Sequence, residues 1–206
     1  MKFVSCRQDW VADPCDVLVV ALDDEWARRP EFQMIDRASS GWFSRVMQSG
    51  EVSTKPNKVS ALIAPTGIPA SVLAIVGTGS KSSTSCNTFF RAAGAAMRAV
   101  ASKQRSVLRF VGFGNSPLET RAAICGAMVG AQGQDLFKSE KTTFAPTTVQ
   151  WVGANDAQIR AGEVIGESVN LARQHSGNLQ APIGLRHRCC GFRSSYHCEP
   201  SARRRV

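Results

Sequence analysis

At 206 residues, 43% of them hydrophobic and 20% charged, the chain has the composition of one ordinary globular domain, or of a domain with a tail, and not that of a fibrous or disordered protein. Its longest apolar runs, such as residues 17–22, fall far short of the ~20 residues a bilayer-spanning helix requires, and the opening MKFVSCRQDW lacks the apolar core of a secretory signal. No membrane partner is expected and a cytoplasmic location is; the formal net charge of +9 has to be located before a nucleic acid is invoked.

Residues 16–22, DVLVVAL, form a short continuous valine-rich run, the pattern of a strand covered on both faces. A place inside a sheet follows. Over 31–48 the apolar residues Phe32, Ile35, Trp42, Phe43, Val46 and Met47 fall at helical spacing, Ser39, Ser40 and Gly41 mark an interruption, and Gly50 supplies a stop. Two short strands, 59–64 and 71–76, flank the turn-forming Pro65, Thr66, Gly67, Ile68 and Pro69, which predicts a hairpin-like connection. An alanine-rich helix over 88–101 presents a small-residue face that can lie close on a sheet. A strand over 106–113 comes next. Ser116 and Pro117 stand where the N-cap and first residue of a helix belong, and that helix runs to about Gln132. A last strand covers 147–152, and Asn155 and Asp156 open a helix that reaches Gln174. Strand and helix alternate, so the expected fold is α/β, a mixed, mostly parallel sheet flanked by helices. The predicted organisation is an α/β domain over 1–153, a linker helix over 154–174 and an irregular tail over 175–206.

In such sheets ligands bind at the carboxyl ends of strands, which singles out Gly77, Thr78, Gly79 and Ser80 after one strand and Gly112 and Gly114 after the next. Backbone N–H groups there could hold a phosphate. Neither stretch extends to GxGxxG with an acidic partner or to GxxxxGK[ST], so tight turns are the preferred reading and a bound anionic nucleotide is the alternative. Residues 1–174 contain no histidine, which removes the base that a serine or cysteine hydrolase needs. The adjacent acids Asp23, Asp24 and Glu25 are read as a solvated loop. Cys6, Cys15, Cys86 and Cys125, widely spaced, are read as buried, reduced thiols.

The chemistry of the sequence changes after Gln174. Residues 175–206 hold six arginines against one acid, Glu199, and so five of the nine net charges. All three histidines, the one tyrosine and Cys189, Cys190 and Cys198 also lie there. His187, Cys189, Cys190, His197 and Cys198 do not follow the spacings that wrap a tetrahedral zinc. Arg203, Arg204 and Arg205 could attract phosphates, but nucleic acid remains a disfavoured partner.

Three stretches in order, SVLAIVGTGSKS, ICGAMVGAQGQDLFKSEK and IRAGEVIGESVNLARQ, together with the order of elements, resemble the N-terminal domain of the M17 leucyl (cytosol) aminopeptidases over about residues 1–174. The departures are residues 132–134, where that family tends to have an aromatic, and everything after Gln174. The resemblance implies a macro-domain-like fold joined by a linker helix to a larger catalytic domain. It also implies, for the intact enzyme, a cytoplasmic hexamer that releases N-terminal residues from peptides with two divalent metals, Zn or Mn. The family's metal-ligand motifs, similar to GKGITFDSGG and NTDAEGR, do not occur here. No cofactor and no catalytic or metal-binding residue is therefore carried over to this chain. The run after Gln174 has the composition of an out-of-frame reading of a GC-rich gene, so a non-native peptide on a truncated enzyme is expected; divergence into a stand-alone domain is the alternative. The final helix is then expected to expose an apolar face of Ile159, Val164, Ile165, Val169 and Leu171.

Overall fold

The computed structural model describes residues 1–6, 9–132, 140 and 142–180, with side chains to 175. The zinc and arginine candidates of the tail lie outside the described residues. Contacts divide the chain into two units, Met1–Asn170 and Leu171–Val206.

The first unit is built on a six-stranded sheet in the order β1-β6-β5-β2-β4-β3. Its strands are β1 (Lys2–Cys6), β2 (Cys15–Asp23), β3 (Val59–Ile63), β4 (Ala70–Gly79), β5 (Val107–Val111) and β6 (Thr148–Val152). Only the β3–β4 pair is antiparallel, as the hairpin signal predicts. Helices α1 (Pro30–Ala38), α2 (Trp42–Gln48), α3 (Cys86–Val100), α4 (Pro117–Ala131) and, as far as Asn170, α5 (Asp156–Gln180) complete it. The break between α1 and α2 falls at Ser40 and Gly41, both with positive φ, where the sequence marked an interruption. Strand β1 was not anticipated, since Phe3 is its one buried residue and a five-residue edge strand gives too short an alternation to read. Helix α5 runs on to Gln180, beyond the expected end at Gln174.

Strand β2 lies between β4 and β5, and its side chains alternate between two cores. Val17, Val19 and Ala21 join Ala92, Ala96, Phe110, Ala127 and Trp151 in one. Leu18, Val20 and Leu22 join Phe32, Ile35, Phe43 and Met47 in the other. Within the first, the rings of Phe110 and Trp151 stack at 4.9 Å between centroids, a geometry that adds to the area they bury.

The helical layer over this core sits close because glycines face backbone. A Cβ on Gly126 of α4 would lie 2.1 Å from the Phe90 carbonyl oxygen of α3, and one on Gly130 would lie 2.6 Å from that of Gly94. Helix α5 also uses glycines on α4, with Gly162 against the side chain of Ile124 and Gly166 against that of Met128, while Asn170 Nδ2 donates to the Met128 carbonyl at 3.4 Å. The expected exposed face of α5 is thereby corrected. Ile159 is buried in the first core and Val169 is half-buried; Val164, Ile165 and Leu171 are exposed.

Arg109, 1% exposed in the middle of β5, breaks the apolar pattern of its strand. Its guanidinium donates to Gln150 Oε1 at 2.8 Å, to the Asp13 carbonyl at 2.7 Å and to the Trp10 carbonyl. The cation is thus satisfied by neutral acceptors and fastens the segment between β1 and β2 onto the sheet. The expectation of four buried thiols needs correction, because only Cys125 is buried. Cys6 and Cys15 are half-buried, and Cys86 is exposed in the first turn of α3. Burial pushes the Cys15 thiol up to about 11 against a smaller opposing pull from Arg109.

Two outcomes follow. Gly126→Ala forces α3 and α4 apart and should cost roughly 1–3 kcal/mol, read as a lower urea midpoint. Stability held by the neutral Cys15 thiol is fully present below its ordinary value of 9.0 and is lost as pH rises through about 11. The unfolding midpoint should therefore drop between pH 9 and 11, and Cys15→Ala should reduce that drop.

Candidate functional site

Strand β2 leads to α1, which packs its Phe32 and Ile35 against one core, whereas β5 leads to α4, which packs its Ala123 and Ile124 against the other. Adjacent strands whose connections leave to opposite faces open a crevice at their carboxyl ends, the usual ligand position in such sheets. A cavity of about 230 Å³ is found there, lined in part by Asp23, Glu25, Arg28, Arg29, Lys81 and Asn115.

The cavity's charges are engaged with one another. Asp23, the last residue of β2, is 0% exposed. Its Oδ2 accepts from Arg29 Nη2 at 2.5 Å and Nε at 3.0 Å, and its Oδ1 accepts from the Glu25 N–H at 3.0 Å. The reading of Asp23, Asp24 and Glu25 as a solvated loop is corrected for Asp23, since a 3-10 turn at Trp26–Arg28 brings Arg29 back onto it. Glu25 pairs with Lys81 at 2.9 Å and, more loosely, with Arg28 at 3.8 Å.

The predicted phosphate-binding stretches border this crevice. Gly77, Thr78 and Gly79 are the final residues of β4, not a turn. Thr78 is buried, its hydroxyl donating to the Leu22 carbonyl at 3.1 Å. A Cβ on Gly77 would lie 2.2 Å from the Lys55 carbonyl oxygen, and one on Gly79 would lie 2.8 Å from the Pro56 ring. The backbone at Lys55 therefore requires glycine at 77, and the Pro56 ring leaves little room beside Gly79. Ser80 is exposed and precedes a short 3-10 turn at Lys81–Ser83. Gly112 and Gly114 turn the chain from β5 towards α4 with φ of 78° and 101°.

Each stretch already faces a carboxylate of the chain. The Lys81 N–H donates to Asp24 Oδ1 at 2.9 Å. That bond, with a second from the Ser80 hydroxyl, holds the Asp24 carboxyl below its ordinary value. At the start of α4, Ser116 Oγ accepts from the Glu119 N–H at 3.3 Å, while Glu119 Oε2 accepts from the Asn115 N–H at 2.7 Å. This reciprocal cap puts a negative charge where an anion would bind. Sequence reasoning missed Arg29 and Glu119; the S-x-x-E spacing from Ser116 to Glu119 was a readable signal for the second.

The model of the "cytosol aminopeptidase family, N-terminal domain" matches residues 19–141. The chain belongs to the cytosol aminopeptidase family, of which it carries the N-terminal domain. A probable cytosol aminopeptidase of Rhodopirellula baltica is 28% identical over 127 residues, covering 61% of this chain and 25% of that protein. One of Koribacter versatilis is 27% identical over 203 residues, covering 84% and 40%. Among solved structures, a mutant of tomato leucine aminopeptidase shares the fold with a TM-score of 0.66 at 21% identity, over 87% of this chain and 38% of that one. The bottromycin maturation enzyme BotP in complex with Mn does so with a TM-score of 0.59 at 23% identity, over 82% and 33%. The chain thus spans 25% to 40% of the length of these relatives.

A two-metal centre of the kind the resemblance implies does not fit the described residues. Among the described residues no three of His, Cys, Asp and Glu come together so as to hold a metal ion, and Asp23 and Glu25 are each engaged by a cation. No helix among the described residues is long and apolar enough to cross a membrane.

The buried pair gives a direct test. Arg29→Met leaves Asp23 charged and buried, and should cost about 3–5 kcal/mol. Adding Asp23→Asn should recover much of that loss, measured as a coupling energy in a double-mutant cycle.

Proposed function

We propose that the chain is the non-catalytic N-terminal domain of a leucyl aminopeptidase. In this reading the release of N-terminal amino acids from peptides belongs to the part of such enzymes that the chain does not span, and so do the two divalent metals. The observation that carries it is the state of the carboxyl-end crevice. Asp23 and Glu25 are spent on Arg29 and Lys81, and the N–H donors of Lys81 and Asn115 are spent on Asp24 and Glu119. What an enzyme of this class needs, free carboxylates around metal ions and an activated water, has no counterpart among these side chains. Peptide substrates and a hexamer are proposed for the intact enzyme, and a cytoplasmic location for the chain, through the family. The limits of an α/β domain at 1–153, a linker helix at 154–174 and a tail of non-native sequence at 175–206 belong to the same proposal.

The alternative of a stand-alone domain binding an anionic nucleotide at Gly77, Thr78, Gly79, Ser80, Gly112 and Gly114 is weakened by Asp24 and Glu119, which occupy the donors such a ligand would use.

The purified 206-residue chain, assayed on a leucyl p-nitroanilide with added Mn or Zn, should release no product above a buffer control. It should retain no stoichiometric metal after dialysis. Excess ADP-ribose should leave its melting temperature unchanged, where a binder of the native state would raise it. Turnover or a retained pair of ions would overturn the non-catalytic reading, and a raised melting temperature would restore the nucleotide alternative.

A further inference from the structure

We draw no further inference here: the strongest candidate, the outer face of helix α5 where Val164 and Ile165 stand exposed away from the stripe seated on α4, is an unpartnered apolar surface, and nothing in the structure shows what covers it.

Discussion

Burial of β2 on both faces is the constraint from which the rest of the first unit follows. A strand paired on each side, with Val17, Val19 and Ala21 facing one way and Leu18, Val20 and Leu22 the other, cannot leave either face to water. Hydrophobic burial has to be supplied by two separate layers. One layer is α1 and α2 with their aromatic residues. The other is α3 and α4, drawn tight by Gly94, Gly126 and Gly130, with α5 laid on α4 through Gly162 and Gly166. Because the strand interiors are given over to apolar packing, charged groups collect at strand ends. Arg109 is the exception, and it keeps its place by donating to Gln150 and two carbonyls.

The same constraint shapes the chemistry at the carboxyl ends. Asp23 ends a buried strand, so its charge must be met inside the protein, and Arg29 meets it after a single 3-10 turn. A buried carboxylate held this way is costly to strip of its partner and poorly suited to hold anything else. Asp24 and Glu119 then fill the donors that two strand-to-helix junctions would otherwise offer to a phosphate. The crevice is present as the fold class dictates, and the charged side chains that line it are paired with one another. The proposed supporting role within the cytosol aminopeptidase family is drawn from this arrangement.

Much of the fold was legible because it rests on local signals. The valine run of β2, the Pro- and Gly-rich connection between β3 and β4, and the Ser116 and Pro117 start of α4 each identify an element without knowledge of its neighbours. What was not legible depends on contacts distant in sequence. Gly77 and Gly79 read as a turn, yet they extend β4, with the Lys55 carbonyl close over Gly77 and the Pro56 ring close over Gly79. Ile159 read as part of an exposed stripe, whereas it is buried in the first core. Asp23 looked solvated until the chain was seen to return Arg29 to it.

The central claim is that residues 1–170 form a self-supporting unit held by the two-sided burial of β2. Hydrogen exchange on the isolated chain tests this most directly. Amides of β2, β4 and β5 should exchange together, with protection approaching the global unfolding free energy, and protection in α5 should reach Asn170. If those central strands exchanged on the timescale of exposed loops, their stability would have to come from contacts this chain does not make, and the account would be contradicted.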